Sequence, residues 1–244
     1  IDDKTFSANL SYFQSEDLEW RYGLQVKQLG IEYLSTFGDT VTFDISENPV
    51  EGAGYVKLKW KTGLRMVIEP GVRYNFYSVY ADEPYIDLRL GMKYLLTDDR
   101  YINFAIGNYH QFIETIQDDF NPPILDNWLA VDESVAPASA THIVLGYEEY
   151  FQDVYRVQIE TYYKDIKNML TYEEFRSSTD AEVSSEKVRD TFTPSDGYAY
   201  GLELFGQKTL GKLTGWIAYT YSVSRKMMNS IYTEAEEEYY TNWD

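Results

Sequence analysis

Ten stretches of the chain alternate apolar and polar residues with a period of two, and the segments that join them are alternately short and long. In the stretch 84–96, Ile86 and Leu88 alternate with Asp87 and Arg89. Successive side chains of a β-strand point to opposite faces, so each stretch has one apolar face and one polar face. The pattern predicts an all-β fold with about ten strands, at residues 4–13, 20–35, 54–61, 64–78, 84–96, 101–113, 140–150, 154–170, 197–208 and 213–225.

The apolar faces of these strands differ from those of a soluble β-sandwich. In the four clearest stretches they are rich in tyrosine and free of charge, while the polar faces mix charged and small residues. A sandwich has a core of branched aliphatic side chains and usually a charged outer face. A lipid-facing exterior around a hydrated interior fits this division better. We therefore expect a transmembrane antiparallel up-and-down β-barrel; a tyrosine-rich soluble β domain is the alternative.

The connections support the barrel prediction because short and long ones alternate. The short connections are 14–19, 61–63, 97–100, 151–153 and 209–212, and the long ones are 36–53, 114–139 and 172–196, with 79–83 as the exception. Alternation places all short turns on one side of the membrane and the long loops on the other. Bacterial outer-membrane barrels have short periplasmic turns and longer extracellular loops in this way.

The composition excludes a helical membrane protein and a nucleic-acid-binding protein. The 244 residues include 24 tyrosines and no cysteine, and the mean hydropathy is −0.44. No run of about 18 apolar residues is present, which excludes a helical membrane protein. The net charge of −19 leaves no basic surface for phosphates, so we expect no nucleic-acid partner.

The second predicted strand contains a change of parity. Its apolar side chains occupy even positions up to Val26 and odd positions from Leu29 onward. A β-bulge inserts one residue and would keep both halves facing lipid. We therefore predict a bulge near Lys27 and Gln28.

Nothing in the sequence indicates catalysis. The two histidines, His110 and His142, have no cysteine to help them form a metal site, and a structural role is expected for each. An omptin-like surface protease would have ten strands, but no paired aspartates accompany a histidine at comparable strand ends. The acidic loops favour either the attraction of cations or simple solvation. We expect no enzymatic activity, cofactor or metal site.

Several runs of residues resemble the barrel of TonB-dependent outer-membrane receptors, particularly those of Bacteroidetes-like bacteria. These runs are Pro137–Glu148, Glu160–Asp165, Gly197–Glu203 and Gly211–Ser222. The resemblance covers residues 54–244, whereas residues 1–53 match only in their general character and not in specific runs of residues. It implies a barrel of about 22 strands closed by a plug domain, which imports a scarce nutrient with energy delivered by TonB.

The resemblance also implies a place for the chain and a set of partners. Residues 1–244 would be part of one barrel domain in the bacterial outer membrane, without the plug domain and the final strands. The expected partners are outer-membrane lipid and lipopolysaccharide, the TonB complex through the plug domain, a small-molecule, glycan or peptide ligand, and in some branches a surface lipoprotein. A complete small barrel that serves as an adhesin or structural protein is the alternative.

If the chain belongs to an importer, its ligand would contact inward-facing strand residues and loop residues. The strand candidates are Arg89, Tyr109, Gln111, Arg156, Glu160 and Glu203. Inward charges must be hydrated or paired, so each of these residues has a structural alternative, which is to hold the plug or to pair across strands. The loop candidates are Trp128 and Tyr172.

Overall fold

The computed structural model describes residues 2–37, 40–80, 83–116, 127–172, 192–229 and 236–240. Within these ranges the chain forms fourteen β-strands and one turn of 3-10 helix at Ser78–Tyr80. The strands are β1 (Asp2–Phe13), β2 (Leu18–Phe37), β3 (Thr40–Glu47), β4 (Val50–Thr62), β5 (Met66–Tyr77), β6 (Tyr85–Thr97), β7 (Arg100–Gln111), β8 (Ile113–Ile116), β9 (Asn127–Ala130), β10 (Ala138–Phe151), β11 (Tyr155–Tyr172), β12 (Phe192–Lys208), β13 (Gly215–Asn229) and β14 (Glu236–Tyr240).

The large sheet is an antiparallel meander. Its order is β1-β2-β4-β5-β6-β7-β10-β11-β12-β13-β14, with β3 paired to the far part of β2. Strands β8 and β9 form a separate hairpin. The described residues contain no helix that is long and apolar enough to span a membrane. The predicted all-β antiparallel up-and-down architecture is confirmed.

All ten predicted strands are present, and four further strands occupy segments that were expected to be loops. Strand β3 lies in the predicted loop 36–53, the β8–β9 hairpin lies almost entirely in the loop 114–139, and β14 follows the last predicted strand. Strands β8 and β9 have only four residues each, which is too short for a period of two to stand out from chance.

The two faces of the large sheet carry different side chains. One face exposes large apolar residues, such as Leu24, Leu88 and Ile217, which are 61–74% exposed. The opposite, concave face carries the polar set of each strand, for example Arg73 and Asp87. The predicted assignment of side chains to faces therefore holds, and the apolar face is the surface that meets lipid.

The predicted bulge in β2 is wrong. The pairing of β2 with β4 runs without a shift from Leu18↔Trp60 to Gln28↔Val50, and the pairing with β1 is equally regular. Leu29 and Ile31 therefore lie on the concave face, where they are only 4% and 1% exposed. The parity changes because the β8–β9 hairpin covers this part of the concave face, with Ala130 and Ile113 packed on these two residues.

The β8–β9 hairpin and the described residues next to it are folded over the concave face of the sheet. We call residues 112–116 and 127–135 together the roof segment. Its two parts are joined by a hydrogen bond from Val131 N–H to Phe112 O (3.0 Å). Phe112, Val131 and Val135 are buried together with Tyr77 and Leu170. This apolar cluster holds the segment on the sheet rather than out in water.

Candidate functional site

A cavity of about 640 Å³ lies on the concave face beside the start of the roof segment. Six strands, β1, β2 and β4–β7, and the first residues of the roof segment contribute to its wall. The lining residues are Asp3, Gln25, Lys27, Leu29, Ile31, Glu51, Gly52, Ala53, Arg73, Asn75, Asp87, Arg89, Tyr109, His110, Gln111, Phe112 and Ile113. The volume lies within the range of cavities that hold small-molecule ligands.

The buried carboxylate of Asp87 organises one wall of this cavity. Its side chain is 2% exposed. Asn75 Nδ2 donates to Asp87 Oδ2 (3.0 Å), and His110 Nδ1 lies 2.7 Å from Oδ1. The guanidinium of Arg89 lies 3.5 Å from Oδ2. A buried carboxylate requires such partners, so these contacts fix the side chains around it.

The local strand pairing explains how His110 reaches Asp87. Register pairing between β6 and β7 ends at Arg89↔Gly107. Beyond that point the side chain of Asn108 replaces the backbone ladder: its Oδ1 accepts from Leu88 N–H (2.7 Å) and its Nδ2 donates to Ile86 O (2.9 Å). Past this interruption, both Tyr109 and His110 line the cavity.

The basic side chains of the cavity are also held in place. Arg73 donates from Nε to Asn75 Oδ1 (2.7 Å) and from its terminal nitrogen to Gln25 Oε1 (3.1 Å). The guanidinium of Arg89 lies 4.4 Å from the centre of the Tyr109 ring, in cation–π geometry. Lys27 pairs with Glu51 at 3.6 Å. The cavity thus offers oriented hydrogen-bond donors and an aromatic ring.

Three of the candidates from the sequence lie together in this cavity. They are Arg89, Tyr109 and Gln111, and Gln111 donates from Nε2 to Ile113 O (2.6 Å). Their role in ligand binding stays a prediction.

The other strand candidates lie elsewhere on the concave face. Arg156 donates from Nε to Glu148 Oε1 (2.6 Å), and Lys93 pairs with the same carboxylate at 3.4 Å. Arg156 therefore has the cross-strand pairing role that was its structural alternative. Glu160 and Glu203 face each other across β11 and β12 and do not line the cavity.

For the two loop candidates, the structure describes the backbone but not the side chain. Trp128 lies in β9 and Tyr172 ends β11. Their side chains, and most acidic residues of the long loops, lie outside the described part of the chain.

Several residues of the site were not singled out from the sequence, among them Gln25, Arg73, Asn75 and Asp87. The period of two places each of them on a polar face, which was the available signal. Their convergence depends on the curvature of the sheet and on the roof segment, neither of which alternation encodes. Among the described residues, no group of three or more histidine or acidic side chains could hold a metal ion.

Comparisons with known proteins agree with this architecture. The family model described as "TonB dependent receptor-like, beta-barrel" matches residues 2–243. No curated protein matches the chain significantly.

Several solved structures share the fold. The siderophore receptor PirA from Pseudomonas aeruginosa aligns with a TM-score of 0.64 at 12% identity, over 93% of this chain and 45% of that one. The FrpB iron transporter from Neisseria meningitidis gives 0.62 at 11% identity, over 92% and 36%. The outer membrane transporter YddB from Escherichia coli gives 0.59 at 10% identity, over 92% and 33%. The chain thus spans between a third and a half of the length of these structures.

Proposed function

Because the chain belongs to the TonB-dependent receptor-like β-barrel family of the bacterial outer membrane, we propose that it forms part of a receptor that binds a scarce nutrient and imports it. The observation that carries this proposal is the cavity on the concave face. It combines a suitable volume with side chains that are already oriented by hydrogen bonds. Such preorganisation lowers the entropic cost of binding.

The charges that line the cavity do not select one class of ligand. The lining contains three basic residues (Lys27, Arg73, Arg89) and three acidic residues (Asp3, Glu51, Asp87). A small molecule, a glycan and a peptide all remain candidates. Two of the similar structures are named as a siderophore receptor and an iron transporter, which makes ferric siderophores the first class to test.

The remaining parts of the proposal concern the whole receptor. Residues 1–244 would form one portion of a single barrel domain, with further strands and a plug domain supplied by the rest of the receptor. The TonB complex would act through that plug, and lipid and lipopolysaccharide would surround the barrel. A surface lipoprotein partner stays a prediction. The family consists of receptors and transporters, which favours nutrient binding over the adhesin and the omptin-like protease.

The proposal can be tested by uptake in cells that express the full-length receptor and lack competing receptors. We expect TonB-dependent uptake of one class in a panel of ferric siderophores, glycans and peptides. Arg89→Ala and Tyr109→Ala should each weaken binding about tenfold, because each removes one half of a cation–π pair that lines the cavity.

Arg65→Ala is the matched control, since Arg65 lies in the exposed β4–β5 turn. It should bind the ligand as the unsubstituted receptor does. Wild-type affinity in both cavity variants would overturn the assignment of the cavity as the binding site, and TonB-independent uptake of every compound would overturn TonB-dependent import.

A further inference from the structure

The charged residues of the cavity differ in their contacts, although basic and acidic residues are equal in number. Lys27 pairs with Glu51 at 3.6 Å. The guanidinium of Arg89 lies 3.5 Å from Asp87 Oδ2. The third basic residue, Arg73, pairs with no carboxylate of the described residues. Arg73 is therefore the one cation of the described cavity wall whose charge is not neutralised by a direct contact.

Neutral amide oxygens hold the guanidinium of Arg73 in place. Its Nε donates to Asn75 Oδ1 at 2.7 Å, and a terminal nitrogen donates to Gln25 Oε1 at 3.1 Å. These two bonds orient the group but use only two of its five N–H groups. The other three have no partner among the described residues, so an oriented cation with free donors lines the cavity.

Two acidic residues of the cavity remain as counter-charges, and neither one is suitable. Asp87 stands opposite Arg73 in the register of β5 and β6, but Asn75 and His110 already contact its two oxygens. Asp3 belongs to β1, and β2 and β4 separate that strand from β5. Three strand spacings amount to roughly 14 Å, which is beyond the reach of an ion pair. An anion that enters the cavity can supply the missing counter-charge.

The inward face between the cavity and the short turns also has an excess of basic residues. Its charged residues on β2, β4 and β5 are Arg21, Lys57, Lys59, Lys61, Glu19 and Glu69. The two glutamates pair with Arg21 and Lys57, which leaves Lys59 and Lys61 in excess. The net charge of the whole chain is −19, so this excess runs against the composition. A wall with one sign of charge concentrates ions of the other sign, and this wall therefore favours an anion.

A single register row connects this basic wall with the cavity. Arg21 is opposite Lys57, and Gly71 is opposite both Lys57 and Arg89. Arg89 lines the cavity, whereas Arg21 lies only three residues from the start of β2. The positive charge is thus continuous from the cavity to the short-turn end of the sheet.

We propose that the nutrient bound in the cavity carries a carboxylate or phosphate group and that Arg73 binds this group. The planar guanidinium can donate two parallel hydrogen bonds to the oxygens of either group. The proposal rests on the proposed function, because it takes the cavity as the nutrient site, and it adds the charge of the nutrient. An uncharged compound or a cation would leave Arg73 without a counter-charge.

Chemical modification of arginine tests this assignment without the natural nutrient. Phenylglyoxal reacts with accessible guanidinium groups, and mass spectrometry of the purified full-length receptor gives the rate at each arginine. The probes are propane-1,2,3-tricarboxylate and pyrophosphate, and the trimethyl ester of the tricarboxylate is the uncharged counterpart. All solutions have the same ionic strength, because salt alone screens exposed charges.

We expect at least one of the two anions to slow the modification of Arg73 more than about fivefold at saturation, whereas the ester leaves the rate unchanged. The anion that protects better distinguishes a carboxylate from a phosphate. Arg65 is the internal control, since it lies in the exposed β4–β5 turn, and its rate should stay unchanged throughout. Equal protection by the ester, equal protection of Arg65 or no protection of Arg73 would each overturn the proposal.

Substitutions of Arg73 extend the test to the uptake panel, in which each acidic compound is paired with its amide or ester. Arg73→Gln should weaken binding of the imported acidic compound about tenfold. Arg73→Lys should recover part of this loss, because lysine keeps the charge but not the planar fork of donors.

The two proposals fail in different ways. Uptake of the uncharged counterpart as efficiently as of the acidic compound would overturn the charge assignment and leave import intact. Absence of uptake for every compound would count against import alone, because the protection of Arg73 requires no transport.

Discussion

At the scale of single residues, Asp87 determines the arrangement of the cavity wall more than any candidate from the sequence does. Asn75, His110 and Arg89 all contact its carboxylate, and two of them, Asn75 and Arg89, also contact Arg73 or Tyr109. Its loss would therefore affect side chains along the whole wall.

We expect Asp87→Ala to lower the free energy of unfolding by about 2 kcal/mol, because it removes the buried carboxylate that Asn75 and His110 contact. Urea unfolding of the full-length receptor in lipid vesicles measures this change. Asp3→Ala is the control, since Asp3 lines the same cavity but is exposed. Equal effects of the two substitutions would mean that the Asp87 contacts contribute nothing specific.

Two inward-facing glycines each leave space for the ring of a tyrosine in the neighbouring strand. Tyr55 lies over Gly23 and donates to Asn9 Oδ1 (2.8 Å), and Tyr162 covers Gly201 in the same way. A Cβ atom at Gly201 would lie 2.7 Å from Tyr162 Cζ. Absence of a side chain is what lets each ring lie flat on the sheet.

Gly23→Ala should therefore destabilise the receptor by about 1–2 kcal/mol, as the Tyr55 ring must move away. In a Tyr55→Ala background the same substitution should be neutral or stabilising, because alanine suits a strand better than glycine does. A double-mutant cycle in urea measures the coupling. Gly215→Ala, where no atom lies within 4 Å of the added Cβ, should change the stability equally in both backgrounds.

At the scale of elements, the hairpin between β10 and β11 has an unfavourable turn sequence. Val154 N–H donates to Phe151 O (3.0 Å), and Gln152 and Asp153 have φ values of 52° and 56°. Two left-handed central residues define a type I′ turn, for which Asn-Gly is preferred. Gln152 and Asp153 therefore adopt a left-handed backbone conformation that costs free energy for residues with a side chain.

Replacing Gln152 and Asp153 with Asn and Gly should stabilise the receptor by about 1 kcal/mol, because both new residues tolerate a positive φ. The shift in the urea midpoint measures this gain. Asp99→Gly in the β6–β7 turn is the comparison, since Asp99 has no positive φ, and it should lower the midpoint. A decrease for both changes would show that the β10–β11 turn is not strained.

The strands also show how much of the fold the sequence predicts. Alternation identified ten strands and their faces because each strand is long enough for the pattern to repeat. It misjudged β2, where Leu29 and Ile31 are apolar on the concave side because the roof segment covers them. A contact between residues about a hundred positions apart leaves no local pattern. Asp87 was not singled out because its partners Asn75 and His110 come from the two neighbouring strands, which alternation within one strand does not reveal.

At the scale of the whole molecule, the outward apolar face defines the part of the barrel that lies in the membrane. Adjacent residues on one strand face different media: Tyr219 shares the outward face with Ile217 and is 60% exposed, while Thr220 points to the lumen beside Glu203. Substitutions at neighbouring positions should therefore differ strongly in effect.

Tyr219→Arg should destabilise the barrel by about 2–4 kcal/mol, because it places a charge in lipid. Thr220→Arg should have little effect, since the lumen is hydrated. The amount of folded receptor in the outer membrane, measured by heat-modifiable migration on gels, compares the two. Similar losses for both variants would contradict the assignment of these faces.

The lengths of β2 and β11 also determine how far the receptor rises above the cell. They contain 20 and 18 residues, whereas a tilted strand crosses a bilayer in about ten. The excess lifts the far ends of these two strands roughly 20 Å above the hydrocarbon core, allowing for tilt. A phage tail fibre or an antibody that approaches the cell would therefore meet these strand ends before it reached the hydrocarbon core.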